Sequence, residues 1–266
     1  MLLLSMPDSF EHTPVLTMRM PNGGLASIAG NVDSHHELAV ADLILVQRSV
    51  GRTVERLMRD LDPEVVGLSV MTFQRGTALE IVRLIKSIKP GVRVVAGGYD
   101  PSLAPEAYES PASGVDYLVR GEGDVTFRDL LRALESGHPA RSIPGLSIRD
   151  ESGFRHSPRR PVSDLDDCTI ALPNRSSRVL TGYTFLGRPI DIVETSRGCT
   201  YDCSFCSIVE MRGRNFHTFG FERVLADICD ARARGARAIF IVDDNITLNV
   251  ARFEGLCRAI IDAGLN

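Results

Sequence analysis

The sequence predicts an α/β chain: a doubly wound parallel sheet of five strands, then a second set of strand–helix units. Three observations carry this. Strand-like and helix-like segments alternate through the first half. Strands three to five read as continuous apolar runs, as strands do when helices cover both faces. Polar and glycine-rich segments fall after the strands, where ligands of such sheets bind.

In chain order, Met1–Met6 is the first strand candidate, followed by a loop over Asp8–Asn22 that contains Pro14 and Pro21. Gly24–Val32 sets Leu25, Ile28, Ala29 and Val32 on one side of a short helix. Glu37–Val46 is the second strand and Val50–Leu61 a helix. Val65–Phe73 (VVGLSVMTF) is the third strand, between Pro63 and the polar Gln74-Arg75-Gly76. Thr77–Lys89 repeats Leu79, Val82, Ile85 and Ile88 every three residues, and Pro90-Gly91 ends that helix. Val92–Ala96 runs into Gly97-Gly98 as the fourth strand. Asp116–Val119 is the fifth, with Arg120–Asp124 after it. Asp124 is expected to N-cap a helix over Val125–Leu134, with Gly137 as its stop. This alternation is that of a flavodoxin-like, or Rossmann-like, sheet. Ile143–Ile148 and Gly153–His156 read as a hairpin, and Ser157–Leu186 as a linker packed on the body. From Pro189 the pattern restarts. Ile190–Thr195 is a strand, Arg197–Arg214 a loop, and Phe219–Arg234 a helix. Ala238–Val242 is the next strand, and Ala251–Ala263 the last helix. The expected divisions are 1–140, 141–187 and 188–266.

Composition excludes several classes. With 266 residues, 44% hydrophobic and 24% charged, the chain can bury a large core. A net charge of −4, 6% aromatics and no Trp speak against a nucleic-acid surface. No apolar run approaches the roughly 20 residues of a membrane span. Met1–Leu4 stops at Ser5 and Pro7 with no basic flank, unlike a signal peptide. A soluble cytoplasmic protein is expected.

Three of the six cysteines, Cys199, Cys203 and Cys206, crowd into eight residues of loop after a strand. In a reducing compartment such clustered thiols hold metal more often than they form disulfides. Three thiolates suit an iron–sulfur cluster with one iron left open, or zinc with a further ligand.

The run Ser196–Cys206 (SRGCTYDCSFC), with Phe205 just before the third cysteine, resembles the cluster loop of the radical S-adenosylmethionine (radical SAM) enzymes. The resemblance implies that Cys199, Cys203 and Cys206 bind a 4Fe-4S cluster and that SAM chelates the fourth iron through its amino and carboxylate groups. One electron then cleaves SAM to methionine and a 5′-deoxyadenosyl radical, which takes hydrogen from substrate. It also implies that the second barrel strand ends near the SAM amino group, here Phe240–Asn245. Asp243, Asp244 and Asn245 are therefore candidate SAM residues, and Phe205 is expected near the adenine. The fold implied for 188–266 is the first two βα units of a radical SAM partial TIM barrel.

The first half resembles the cobalamin-binding domain that precedes this barrel in one large radical SAM subgroup. The likeness lies in Leu2–Pro7, Gly24–Ala29 (GLASIA), Val66–Phe73, Ala96–Gly98 and Val119–Phe127 (VRGEGDVTF). It implies a cobalamin site around Thr72, Gly97, Gly98, Gly121, Glu122 and Gly123. The Asp-x-His-x-x-Gly cobalt-ligating motif of other cobalamin proteins is not reproduced by Asp8–His12, so cobalamin without a His ligand is expected. Members of the subgroup include methyltransferases acting on unactivated carbon or phosphorus and the anaerobic cyclase of bacteriochlorophyll synthesis. Methyl transfer to an unactivated centre, or a related radical reaction on a small molecule, is the activity implied. An electron donor such as flavodoxin or ferredoxin is the implied partner. Where the family's barrel has about six strand–helix units, this sequence supplies two. It is expected to be a fragment of a longer chain or a naturally truncated product, with an exposed, adhesive strand edge after Val242.

Other readings stay open beside these. The triplet can be a structural zinc site with His217 as fourth ligand, in a non-enzymatic binding protein. Cys203-x-x-Cys206 alone can be a redox dithiol. The first domain can be a cobalamin-free relic, and its glycines simple turns. Cys229 and Cys257 are expected in apolar helix faces, and Cys168 has no assigned role. His35 and His36 are expected in a solvated turn, and Arg232, Arg234 and Arg237 at a solvated helix end.

Overall fold

The computed structural model describes residues 1–8, 18–165 and 169–265. His12 and Cys168 lie outside the described residues. The elements up to the hairpin are β1 (Leu2–Ser5), β2 (Met18–Arg19), α1 (Gly23–Asn31), β3 (Ala39–Asp42), α2 (Val50–Leu61), β4 (Val65–Ser69), α3 (Arg75–Ile88), β5 (Arg93–Gly97), α4 (Tyr99–Leu103), β6 (Tyr117–Val119), α5 (Gly123–Ser136), β7 (Leu146–Asp150) and β8 (Gly153–His156). There follow β9 (Thr184–Phe185), β10 (Arg188–Val193), β11 (Ser196–Arg197), α6 (Ile208–Arg212), β12 (His217–Thr218), α7 (Phe221–Ala233), β13 (Ala238–Ile241) and α8 (Val250–Asp262). The chain divides into two compact units. One holds Met1–His12, Gly24–Val162 and Asn174–Thr181; the other holds Thr13–Gly23, Ser163–Pro173 and Gly182–Asn266.

The first unit is built on a seven-stranded sheet in the order β3-β1-β4-β5-β6-β7-β8. Its first five members are parallel, as expected from the sequence. The predicted hairpin is present, but it is not separate from the sheet. β7 pairs antiparallel with β6 and carries β8 with it. All four residues of β1 are buried, because helices cover both faces. Leu2, Leu4, Val66, Leu68 and Val94 face Val54, Met58, Ile81 and Ile85 of α2 and α3. Leu3, Val40, Val95 and Val119 face Leu25 and Ala29 of α1 and Phe127 and Leu130 of α5. Alternate side chains thus feed two cores.

Local chemistry shortens several expected elements. The second and third strands end at Asp42 and Ser69, and 3-10 turns occupy Leu43–Val46 and Thr72–Gln74 instead. Asp124 is not the N-cap of α5. Glu122 holds that position, and Asp124 sits in the first turn, where it accepts a hydrogen bond from Ser27 Oγ. Part of the expected linker runs beside β3, with Val179 N donating to Val40 O at 2.9 Å.

In the second unit β10 and β13 pair in parallel, Val193 opposite Ile241. β9 and β2 extend the sheet from β10 in antiparallel fashion. β13 is the edge strand among the described residues, and its Phe240 is 45% exposed. α7 buries Val224, Asp227, Ile228 and Ala231. Cys229 falls one position off that stripe and is exposed, contrary to its expected core placement. Cys257 on α8 is half-buried. No helix among the described residues is long and apolar enough to cross a membrane.

Candidate functional site

The cysteine loop leaves the carboxyl end of β10 and is closed by a small clasp. β11 pairs antiparallel with β12, Ser196 opposite Thr218 and Arg197 opposite His217. Beyond it, Cys199 bridges to Arg214. Gly198 makes the first turn of the loop with φ +90, and its amide donates to Asp244 Oδ2 at 2.8 Å. Only glycine fits there, since a Cβ would lie 2.4 Å from Asn215 Oδ1 and 2.5 Å from Asn215 O. Cys206 N donates to Cys203 O at 3.0 Å, curling the last part of the loop. Cys199 is buried, Cys203 exposed and Cys206 half-buried. Phe205 is 90% exposed.

The adjacent strand β13 ends at the same place, and its following residues hold the clasp. Asp243 accepts from Thr195 N (2.6 Å), Thr195 Oγ1 (2.5 Å) and Ser196 Oγ (2.6 Å). Asp244 Oδ2 lies 3.7 Å from Arg212 Nε. Asn245 Nδ2 approaches Cys199 Sγ at 3.8 Å. From α8, Arg252 Nη2 donates to Thr195 O and Phe219 O at 2.8 and 2.9 Å. The structure therefore brings Cys199, Asp243, Asp244 and Asn245 together, while Phe205 stands apart from them in solvent. Arg252 and Thr195 were not singled out from the sequence. They work through backbone carbonyls and hydroxyls, which leave no spacing signature. Asp243→Ala removes a carboxylate acceptor from three donors at once. It is expected to cost about 3 kcal/mol, read by urea denaturation.

The donor set suits a cluster. The three sulfurs and His217 do not gather within 4.8 Å of one another among the described residues. A single tetrahedral zinc would hold them about 3.8 Å apart, whereas the corners of a cubane spread thiolates wider.

In the first unit the parallel strands have the order 2-1-3-4-5, which reverses beside β1. Sheets of this kind bind ligands in the crevice beyond the carboxyl ends at that reversal. Thr72 lies in the exposed turn after β4, Gly97 and Gly98 end β5, and Gly121–Gly123 follow β6. These segments are neighbours, since Ser69 pairs with Gly97 and Gly97 with Val119. The glycines differ in what they do. Gly98, at φ +101, packs on the backbone of Val70, where a Cβ would lie 2.8 Å from its oxygen. Gly121, at φ +83, faces open space. Glu122 is buried. Gly98→Ala is expected to destabilise the first unit by about 2 kcal/mol or more, whereas Ser102→Ala, which removes the acceptor of the Gly121 amide, costs about 1 kcal/mol. Thermal unfolding compares the two.

Sequence reasoning missed two ties beside this crevice. Gln74 Nε2 donates to Asp8 O at 2.6 Å, while its Oε1 accepts from Met71 N, so it links the loops after β1 and β4. Asp100, fully buried, takes a two-pronged hydrogen bond from Arg75 (2.8 and 2.6 Å) and another from Tyr108 Oη at 2.5 Å. Burial and the Asp100 carboxylate hold the Tyr108 phenol well above its usual range.

The first unit's strand-order crevice and the second unit's three-cysteine loop at the carboxyl end of a parallel strand pair define a class: an α/β chain with a ligand crevice in one unit and a metal loop in the other. Residues 15–131 match the model of the B12 binding domain. The chain is 30% identical over 267 residues to uncharacterized methyltransferase PH0819 of Pyrococcus horikoshii, covering 100% of this chain and 58% of that one. It is 25% identical to the anaerobic magnesium-protoporphyrin IX monomethyl ester cyclase of Synechocystis, covering 98% and 52%. Among solved structures, the radical S-adenosylmethionine methyltransferase TsrM from Kitasatospora setae, with cobalamin and a [4Fe-4S] cluster bound, shares the fold. Its TM-score is 0.78 at 21% identity, over 98% of this chain and 52% of that one. The chain is thus similar to the B12 binding domain over residues 15–131, to a methyltransferase and a cyclase in sequence, and to a cobalamin-bound radical SAM methyltransferase in fold. It spans little more than half the length of these relatives.

Proposed function

We propose that this chain forms the cobalamin- and cluster-binding part of a radical SAM enzyme that transfers a methyl group to an unactivated centre of a small molecule, or performs a related radical reaction such as a cyclisation. The observation that carries the reading is the clasped loop of Cys199, Cys203 and Cys206, set beside Asp243–Asn245 at the ends of two paired parallel strands. When bound, the cluster and SAM supply one-electron cleavage and cobalamin a methyl group.

The chain's own residues take the following roles. Cys199, Cys203 and Cys206 ligate three irons. Asp243 holds the Thr195–Ser196 turn, and Asp244, whose second oxygen carries no hydrogen bond among the described residues, faces the SAM ammonium with Asn245 beside it. Phe205 would meet the adenine mainly through its backbone, since its ring is exposed. Thr72, Gly97, Gly98, Gly121, Glu122 and Gly123 line the cobalamin crevice. Residues 1–140 are the cobalamin-binding region, 141–187 hairpin and linker, and 188–266 the barrel start. A flavodoxin- or ferredoxin-like donor supplies the electron. A reducing cytoplasm is the compartment in which Cys199, Cys203 and Cys206 stay available as ligands.

Oxygen-free reconstitution tests this. About four irons with matching sulfide are expected per chain, and Cys203→Ala should lose most of both. One zinc without sulfide would overturn the cluster. Purification with hydroxocobalamin should retain corrin absorbance; none retained would remove cobalamin and leave the cluster reading standing.

A further inference from the structure

A second group of metal-binding side chains lies in the first unit, away from the sheet crevice. The turn between α1 and β3 carries His35 and His36, and α5 ends beside it with Glu135. His35 Nε2 is 3.1 Å from Glu135 Oε1 and 3.2 Å from Oε2. The two imidazole rings stand 4.2 Å apart. One ligand atom from each of the three residues falls within 4.8 Å of the others. His36 Nε2 is buried and makes no hydrogen bond among the described residues.

Two further features favour a cation there. The turn is already held against α5, because Arg132 donates to both oxygens of Asp33 at 2.6 and 2.7 Å. Ordering the ligands therefore costs less than on a free loop. The last turn of α5 also contains no basic residue, and the charge of Arg132 one turn earlier is taken up by Asp33.

We propose that His35, His36 and Glu135 form a surface site for a zinc-class divalent cation, with water at the remaining position. Two imidazoles and one carboxylate are a zinc donor set. Bonds of about 2.0–2.2 Å put ligand atoms roughly 3.4 Å apart, so side-chain shifts of up to about 1.4 Å from the present spread of 4.8 Å close the site. The ion ties the α1–β3 turn to the end of α5. This site is independent of the cysteine loop.

Zinc chloride is the probe, added to the chain with Cys199, Cys203 and Cys206 all replaced by serine, so that the clustered thiols cannot compete. Diethyl pyrocarbonate modification is followed by peptide mass spectrometry. At zinc ten times its dissociation constant, modification of His35 and His36 should slow about tenfold, while His138 at the same end of α5 reacts unchanged. His36→Ala and Glu135→Gln should each abolish protection of His35. If the triple variant does not fold, the cluster-loaded chain gives the same readout. Equal reaction of His35 and His36 with and without zinc overturns the proposal. So does protection that survives Glu135→Gln.

Discussion

Gly198→Ala is expected to destabilise the second unit by about 3–5 kcal/mol, combining a disfavoured positive φ for alanine with overpacking against backbone. The new Cβ would enter the carbonyl of Asn215, which a side-chain rotation cannot relieve. The clasp must then open or shift, and the bridge from Cys199 to Arg214 goes with it. Iron content after reconstitution should fall alongside the urea midpoint. A fully loaded, equally stable Gly198→Ala protein would show that the tight turn does not position Cys199. The effect should exceed that of Asp243→Ala, which removes hydrogen bonds but leaves the turn sterically possible.

Asp100→Ala is the second large effect, at about 3 kcal/mol. Breaking a buried ion pair by removing one partner costs about 3–5 kcal/mol, and the lower end applies because the Arg75 side chain is 33% exposed. The buried Tyr108 hydroxyl also loses its acceptor. Tyr108→Phe, which deletes one hydrogen bond and leaves the ion pair, should cost only about 1 kcal/mol. Asp100 N also donates to Val70 O at 3.1 Å, which fastens the Gly98 crossing to the loop after β4. The alanine variant keeps that backbone bond but frees Arg75, which directly follows the Thr72–Gln74 turn, so it should bind corrin more weakly as well. Chemical denaturation and a cobalamin titration read both consequences. Equal destabilisation by Asp100→Ala and Tyr108→Phe would remove the ion pair from the account.

The alternation of strands and helices was legible because each buried strand writes a continuous apolar run, as Leu2–Leu4 and Val65–Leu68 do. The carboxyl-end loops followed from that. Strand ends were less legible. Leu43–Val46 and Val70–Phe73 are as apolar as the strands before them, yet the chain turns there; hydrophobicity alone does not distinguish a strand from a 3-10 turn. The hairpin was readable, but its pairing with β6 was not, because an edge partner is chosen by tertiary geometry. The cysteine spacing announced a metal loop. Its supports stayed hidden, since Asp243 and Arg252 act on Thr195 from 48 and 57 residues away. Asp100 finds Arg75 across 25 residues, and no local pattern names such a partner. Cys229 was misplaced because one step along a helix turns a side chain about 100° away from the buried stripe.

The antiparallel pairing of Ser196–Arg197 with His217–Thr218 has a consequence for how strongly the sulfurs take up iron. A free peptide with the same cysteine spacing must bring its own ends together, at a cost that grows with the logarithm of its length. In the folded chain the hydrogen-bonded clasp makes part of that closure. The excised segment should accordingly compete poorly for iron against the intact polypeptide, even though every ligand is the same.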